Sequence, residues 1–233
     1  DEEMNIETVG LITYHHSHLK TEQVLQRFLT QKKYEFKVFA LPFTPRKRSR
    51  AALFVHRPDQ SDAVEASAIA EKHNIPYIVC DKDTEIDDSC DIYLILGAGI
   101  LSAKCVADKK IINCHPGIIP TCRGLDAFKW AIYEMKPLGI TLHYIDAEVD
   151  AGEIITIMPT NVYATDSLST LARRHYENEI DCLCRFDDFL NNPHKPFSSP
   201  LDNVEPGFKR RMPLEVEEKL EQSFLKYTAR FGK

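Results

Sequence analysis

The sequence predicts an α/β fold, a Rossmann-like, mostly parallel sheet with helices on both faces, and three observations predict it. Short apolar strands alternate with amphipathic helices along most of the chain. The segment DIYLILGAGI is apolar without alternation and ends in Gly97 and Gly99, the pattern of a strand buried on both sides. A chain of 233 residues is also long enough for one sizeable core with a short appendage.

Residues 6–13, IETVGLIT, read as the first strand, and a helix is expected near 19–31 with Val24, Leu25, Phe28 and Leu29 on one side. Residues 35–41 and 51–56 read as extended, 61–73 as a helix, and IPYIVC as a short strand. INCH at 112–115 is a strand that Pro116, Gly117 and Pro120 stop at once. Phe128 and Trp130 sit in the helix after that turn and are expected to pack in the core. GITLHYI at 139–145 alternates as a strand and runs into an acidic turn, which Gly152 lets reverse into IITIM. A long helix over 166–191 repeats Leu168, Leu171, Ala172, His175, Leu183 and Leu190 at helical spacing. Residues 192–212 are rich in proline and polar residues, an irregular arm before a last helix over 213–229 that opens on Pro213.

With 29 Lys and Arg against 35 Asp and Glu, the formal net charge of −6 argues against a nucleic-acid binder. Seven cysteines without paired spacing indicate a reduced chain with no disulfide framework, and Cys182 and Cys184, two apart on a helix, make a poor metal pair. No metal site is expected. No apolar run approaches the roughly 20 residues of a membrane span, and the start DEEMNIETVG lacks signal-peptide form, so a cytoplasmic location without membrane attachment is expected.

The chemistry concentrates at strand ends, where open parallel sheets hold their ligands. Alternation puts Asn113 and His115 on one side of their strand and turns Cys114 into the core. Asp146, Glu148 and Asp150 crowd the acidic turn, and if it folds back over the first turn a carboxylate meets the imidazole. An amide, an imidazole and a carboxylate together suit acyl transfer: the amide donates to a developing oxyanion, and the carboxylate raises the imidazole pKa. His143 is read as a strand residue lining the site.

From Asn113 to Ile154 the chain shows N-x-H-P, two apolar residues and Pro120, then Arg123-Gly124, then G-I-T-x-H and D-x-G. In this it resembles the formyltransferases that use 10-formyltetrahydrofolate, over roughly residues 60–190. The resemblance implies a catalytic domain over 1–191, with 192–233 as a C-terminal arm and helix that packs on the core or on a second copy in a homodimer. It implies Asn113, His115 and Asp150 as the catalytic trio. It places the folate against Gly99, Ile100 and Leu101 and against the turn bearing Ile145, Asp146, Glu148 and Asp150. A neutral primary amine then attacks the formyl carbon without a covalent enzyme intermediate.

The acceptor is narrowed by departures within that family. Methionyl-tRNA formyltransferase carries a further C-terminal domain, and about 40 residues follow the shared region here. Glycinamide ribonucleotide transformylase has a glycine-rich phosphate loop after its first strand, where this chain reads TYHHSHLK. The weight moves to amines on nucleotide-linked sugars, used for surface polysaccharide. Purine synthesis and a folate-binding or hydrolytic relative without a specific acceptor are the alternatives. His15, among His15, His16 and His18, is either a solvated loop residue or an acceptor contact, and Arg123 is also assigned to the acceptor. The stretch TPRKRSRAALFVHR holds Arg46, Lys47, Arg48 and Arg50 before an extended segment and His56 and Arg57 after it. A strand between them would separate the two groups, and of the two His56 with Arg57 is the expected reader of the acceptor's phosphates.

Overall fold

The computed structural model describes residues 4–145, 153–192 and 208–233. Asp146, Glu148 and Asp150 therefore lie outside the described residues. The main sheet has seven strands in the order β3-β2-β1-β4-β5-β7-β8. Five are parallel: β1 (Thr8–Tyr14), β2 (Glu35–Leu41), β3 (Tyr77–Val79), β4 (Ile92–Ile95) and β5 (Ile111–His115). The antiparallel strands β7 (Gly139–Tyr144) and β8 (Ile154–Pro159) extend the β5 side. A short second ladder joins β6 (Arg123–Gly124) to β9 (Phe208–Lys209).

Each strand feeds two cores because its side chains alternate. Val9, Leu11, Ile112, Cys114, Ile140 and Leu142 face one side, where α1 (Leu19–Gln31) brings Val24, Leu25 and Phe28 and α5 (Leu168–Cys184) brings Ile180 and Leu183. Ile12, Phe39, Tyr93 and Ile111 face the other, under α3 (Ala103–Val106). Lys32 ends α1 in the left-handed conformation at φ 54°, its N–H bonded to the Phe28 carbonyl. Ser167 starts α5 by accepting from the Thr170 N–H.

A third cluster lies beside the sheet. There α4 (Ala127–Tyr133) packs Phe128, Ala131 and Ile132 against Leu220, Phe224 and Tyr227 of α8 (Leu220–Phe231). The apolar side of the last helix is thus covered by its own chain. Trp130 is only partly buried: its indole N–H donates to the Arg210 carbonyl at 2.8 Å, and Lys209 lies over its ring. It serves the seam with the C-terminal segment, whereas Phe128 is the core residue expected.

Four expectations change. The helix over 166–191 is broken at Arg185 into α5 and α6 (Phe186–Asn191), and that over 213–229 into α7 (Leu214–Glu217) and α8. The helix expected over 61–73 forms only as α2 (Ala66–Lys72), since Ser61 is drawn into a turn by the Asp59 carboxylate. Residues 51–56 form no strand. Leu53 and Val55 are exposed, so their apolar side chains have no sheet to cover, and the segment is tied down by distant charges instead. Arg50 and the Leu53 N–H both reach Glu217 Oε1, while Glu217 Oε2 takes the buried Lys129 ammonium at 2.6 Å.

Glu217 is 5% exposed and Lys129 2%, so among the described residues this carboxylate is the ion-pair partner of the deeply buried Lys129 ammonium. Burial would raise its carboxyl, but hydrogen bonds from Lys129, the Leu53 N–H and Arg50 outweigh it and hold the group down at about 2. Glu217→Gln is expected to lower folding stability by about 3–5 kcal/mol, because it strands Lys129. Glu218→Gln, one position along on the surface, is expected to change it by less than about 0.5 kcal/mol. Urea unfolding of the two variants checks this, and equal small effects would show that the buried pair does not hold the segment.

Candidate active site

β5 delivers Asn113 and His115 to the carboxyl end of the parallel sheet on one face, with Cys114 3% exposed on the opposite face. Antiparallel β7 sets His143 opposite Asn113 and Thr141 opposite His115. The Asn113 Nδ2 lies 3.4 Å from His143 Nε2, and His143 Nδ1 lies 3.1 Å from the Tyr144 carbonyl. A carbonyl only accepts, so Nδ1 carries the proton and Nε2 accepts one amide N–H of Asn113. The orientation of the Asn113 amide is thereby set, which gives His143 a positioning role beyond lining the site.

The turn after His115 is pinned from two sides. Thr141 Oγ1 donates to the Gly117 carbonyl at 2.7 Å and accepts from the Ile119 N–H at 3.1 Å. Gly117 has no room for a side chain, since a Cβ there would stand 2.6 Å from the Cys122 carbonyl and 3.1 Å from His115 Nε2. His115 Nε2 donates to that same Cys122 carbonyl at 2.6 Å. Nε2 therefore carries a proton, and whether His115 is neutral or cationic is decided at Nδ1.

Behind the turn stands His175 of α5, 4% exposed, whose Nε2 donates to the Pro116 carbonyl at 2.9 Å and whose Nδ1 pairs with the Thr160 hydroxyl at 2.7 Å. Phe128 lies 5.7 Å from His175 and stacks on His56 at 5.7 Å and 4°. Burial pushes the His175 imidazole down to about 4 and that of His56 to about 3, where Lys129 adds to the effect. His56 is accordingly neutral near pH 7 and cannot read a phosphate as a cation.

One turn along α5, the buried Glu179 carboxylate takes the Arg57 guanidinium through Oε1 at 2.8 Å and Oε2 at 3.3 Å. Lys20 of α1 joins it at 2.7 Å. Burial alone would raise the carboxyl, but Arg57 and Lys20 outweigh it and hold it far below the usual carboxylate range. The Arg57 fork, with Tyr176 against its other face, is filled by a carboxylate where a phosphate was expected. The Glu179 carbonyl also accepts from Cys114 Sγ at 3.8 Å, which links this ion cluster to the back of β5.

The remaining expected residues scatter. His15 turns to the β3 side, where its Nδ1 pairs with the Tyr77 hydroxyl at 2.8 Å. It is His18, bonded to Thr21, that packs toward the β4 end: a Cβ on Gly97 would meet its ring at 2.8 Å. Arg123 lies in β6 opposite Phe208. Gly99, Ile100 and Leu101 follow β4; Ile100 is 85% exposed, and a Cβ on Gly99 would meet nothing within 4 Å. The Ile145 N–H bonds the Ile111 carbonyl and so brings the start of the acidic turn to β5.

Part of the chain is similar to known proteins. Residues 93–186, which run from β4 to the start of α6, match the sequence model of the formyl transferase family. Two relatives extend the match. The trifunctional purine biosynthetic protein adenosine-3 of Gallus gallus is 34% identical over 134 residues, 50% of this chain and 13% of that protein. Formyltetrahydrofolate deformylase 1, mitochondrial, of Arabidopsis thaliana is 30% identical over 128 residues, 49% of this chain and 40% of that one. The chain thus spans less than half the length of either relative.

The architecture is the formyltransferase fold. A sugar N-formyltransferase from a Shewanella species superposes with a TM-score of 0.60 at 15% identity, over 93% of this chain and 87% of that one. Phosphoribosylglycinamide formyltransferase from Anaplasma phagocytophilum gives 0.51 at 26% identity, over 79% and 84%.

Two outcomes are expected from the site's electrostatics. Arg57→Ala should cost roughly 3–5 kcal/mol of stability because it leaves Glu179 half-paired in the interior, and a variant melting with the wild type would return Arg57 to ligand binding. The second concerns pH. His18, held at about 4 by burial and neighbouring Lys20, His56 at about 3 and His175 at about 4 are neutral when folded, whereas an unfolded imidazole titrates near about 6.5. Below that value the unfolded chain binds protons that the folded chain refuses. Stability should be level above about pH 6.5 and fall as the pH is lowered toward 4. Urea titrations across that window check the sign, and a flat profile would contradict neutral burial of these rings.

Proposed function

We propose that this chain is an N-formyltransferase that moves the formyl group of 10-formyltetrahydrofolate to a primary amine, carried by a sugar nucleotide of the kind used for surface polysaccharide. The observation that carries the reading is the pair Asn113 and His115, side by side at the carboxyl end of β5, with the amide oriented by His143 and the imidazole by the Cys122 carbonyl. The donor supplies the formyl carbon and a nitrogen leaving group. Asn113 donates its second amide N–H to the formyl oxygen as the amine adds, and His115, protonated, donates beside it. Asp150, the third member implied by the family pattern, keeps the imidazole charged and passes a proton from the incoming amine toward the departing nitrogen. Backbone groups of Gly99, Ile100 and Leu101, with the turn from Ile145, Asp146 and Glu148 to Asp150, hold the pterin.

For the acceptor, support comes from the extent of the fold likeness, 93% of the chain for the sugar N-formyltransferase against 79% for the phosphoribosylglycinamide enzyme. The loop TYHHSHLK after β1 also offers no glycine cradle for a ribose phosphate. The phosphoribosylglycinamide reading is second. It is favoured by the higher identities to the purine-synthesis proteins, 34% and 26%.

Asn113→Ala and His115→Ala are each expected to lower the rate of formyl transfer by about 100- to 1000-fold, the usual cost of an oxyanion donor. The dissociation constant of 10-formyltetrahydrofolate should stay within about threefold of wild type, since the pterin is held by other residues. Stopped-flow absorbance of tetrahydrofolate release, with donor binding followed by fluorescence, measures both. Near-wild-type transfer by either variant would remove that residue from the chemistry.

A further inference from the structure

The irregular segment before α2 folds back so that its two basic groups, expected far apart, line one cavity of about 720 Å³ together with residues 211–213 of the C-terminal segment. That volume is in the range of small-ligand sites, about 300–1,000 Å³. Its wall carries five cationic side chains against three carboxylates, in a chain whose net charge is −6. Most of these cations are already engaged. Arg57 is held by Glu179, and Arg50 and Lys129 share Glu217. Among the described residues, Arg48 from the loop and Arg211 from the C-terminal segment have neither an ion pair nor a hydrogen bond.

Two guanidiniums approach one cavity from separate segments with no carboxylate bound to either. The Arg211 cation is disfavoured first by burial and then by the charges of Arg48 and Arg46, and Asp126 offsets this only in part. One oxygen of Asp126 is already occupied by the Met212 N–H at 2.9 Å. Such an arrangement is relieved by a bound polyanion, and guanidinium forks match phosphate oxygens in pairs. The cavity also adjoins the reaction site. His56 lines it and stacks on Phe128, and Phe128 contacts His175, which holds the residue after His115.

We propose that this cavity binds the phosphates of a nucleoside diphosphate, with Arg48 and Arg211 as direct ligands, so that the attached amine is presented at Asn113 and His115. The inference rests on the transferase reading for the identity of the amine and on the cavity alone for the anion. Two unpaired guanidiniums on opposing segments suit two linked phosphates better than one. The C-terminal segment, through Arg211, then contributes directly to the specificity of a site otherwise built by the sheet.

Isothermal titration of the full chain with inorganic pyrophosphate, uridine 5′-diphosphate and inorganic phosphate tests the site without any formyl transfer. Pyrophosphate and the nucleotide are expected to bind at least about tenfold more tightly than phosphate, a difference of about 1.4 kcal/mol. Arg48→Gln and Arg211→Gln should each weaken both by at least about tenfold, with unchanged melting temperature and unchanged affinity for 10-formyltetrahydrofolate. Failure of the wild type to bind pyrophosphate, or undiminished binding by the double variant, would overturn the site. Intact, arginine-dependent pyrophosphate binding in a chain that transfers no formyl group would uphold the site and overturn the transferase reading instead.

Discussion

A single buried carboxylate, Glu179, is the constraint on which the rest of the structure depends. It joins Lys20 of α1, Arg57 of the irregular segment and, through its carbonyl, Cys114 on β5. Taking three charges out of water is costly, and the cluster is favourable only because Glu179 meets both cations at hydrogen-bond distance. Glu217 repeats the device with Lys129 and Arg50. Between them the two carboxylates fasten residues 50–57, which have no ladder of their own, over the carboxyl end of the sheet. Side-chain charges thus do there what strand hydrogen bonds do elsewhere.

The site inherits its order from that frame. Strand alternation brings Asn113 and His115 to one face, but alternation alone leaves a turn free to move. Thr141 and His175 bind the carbonyls of Gly117 and Pro116, the two residues that follow the end of β5. His175 and Glu179 are one turn apart on α5, so the helix that anchors the charge cluster also steadies the turn after β5. The acyl transfer proposed above would need donors already aimed at the developing charge, and the contacts to the Gly117 and Pro116 carbonyls restrain the turn that follows Asn113 and His115.

Much of this was legible in the sequence. The strand at 35–41 and the helix at 19–31 form as their patterns predict, because each covers an apolar face with local periodicity. Asn113 and His115 were readable because a strand ending in Pro-Gly exposes its last polar residues. The segment 51–56 was misread because its partner, Glu217, is 167 positions beyond Arg50, and nothing in AALFVH distinguishes an apolar stretch with a sheet to join from one without. The partner of Arg57 was hidden for the same reason: its carboxylate lies on α5. A sign of that partner did exist, since His175 and Glu179 fall on the apolar face of their helix with Leu171, Ala172 and Leu183, and polar groups there need a buried complement. Arg211 carried no signal before the fold brought it to Arg48. The acidic turn with Asp150, Asp146 and Glu148 lies outside the described residues, and its place in the site rests on the family pattern.

The proposed transferase differs from a hydrolase in that the amide of Asn113 and the imidazole of His115 would serve transfer to an amine and not to water. The most direct measurement follows tetrahydrofolate release from 10-formyltetrahydrofolate together with the mass of the acceptor, with and without a panel of nucleoside diphosphate amino sugars. The account predicts release only when an amine is present, matched mole for mole by one formyl group on that amine. Release of tetrahydrofolate and formate at the same rate without any amine would contradict it and make the chain a hydrolase.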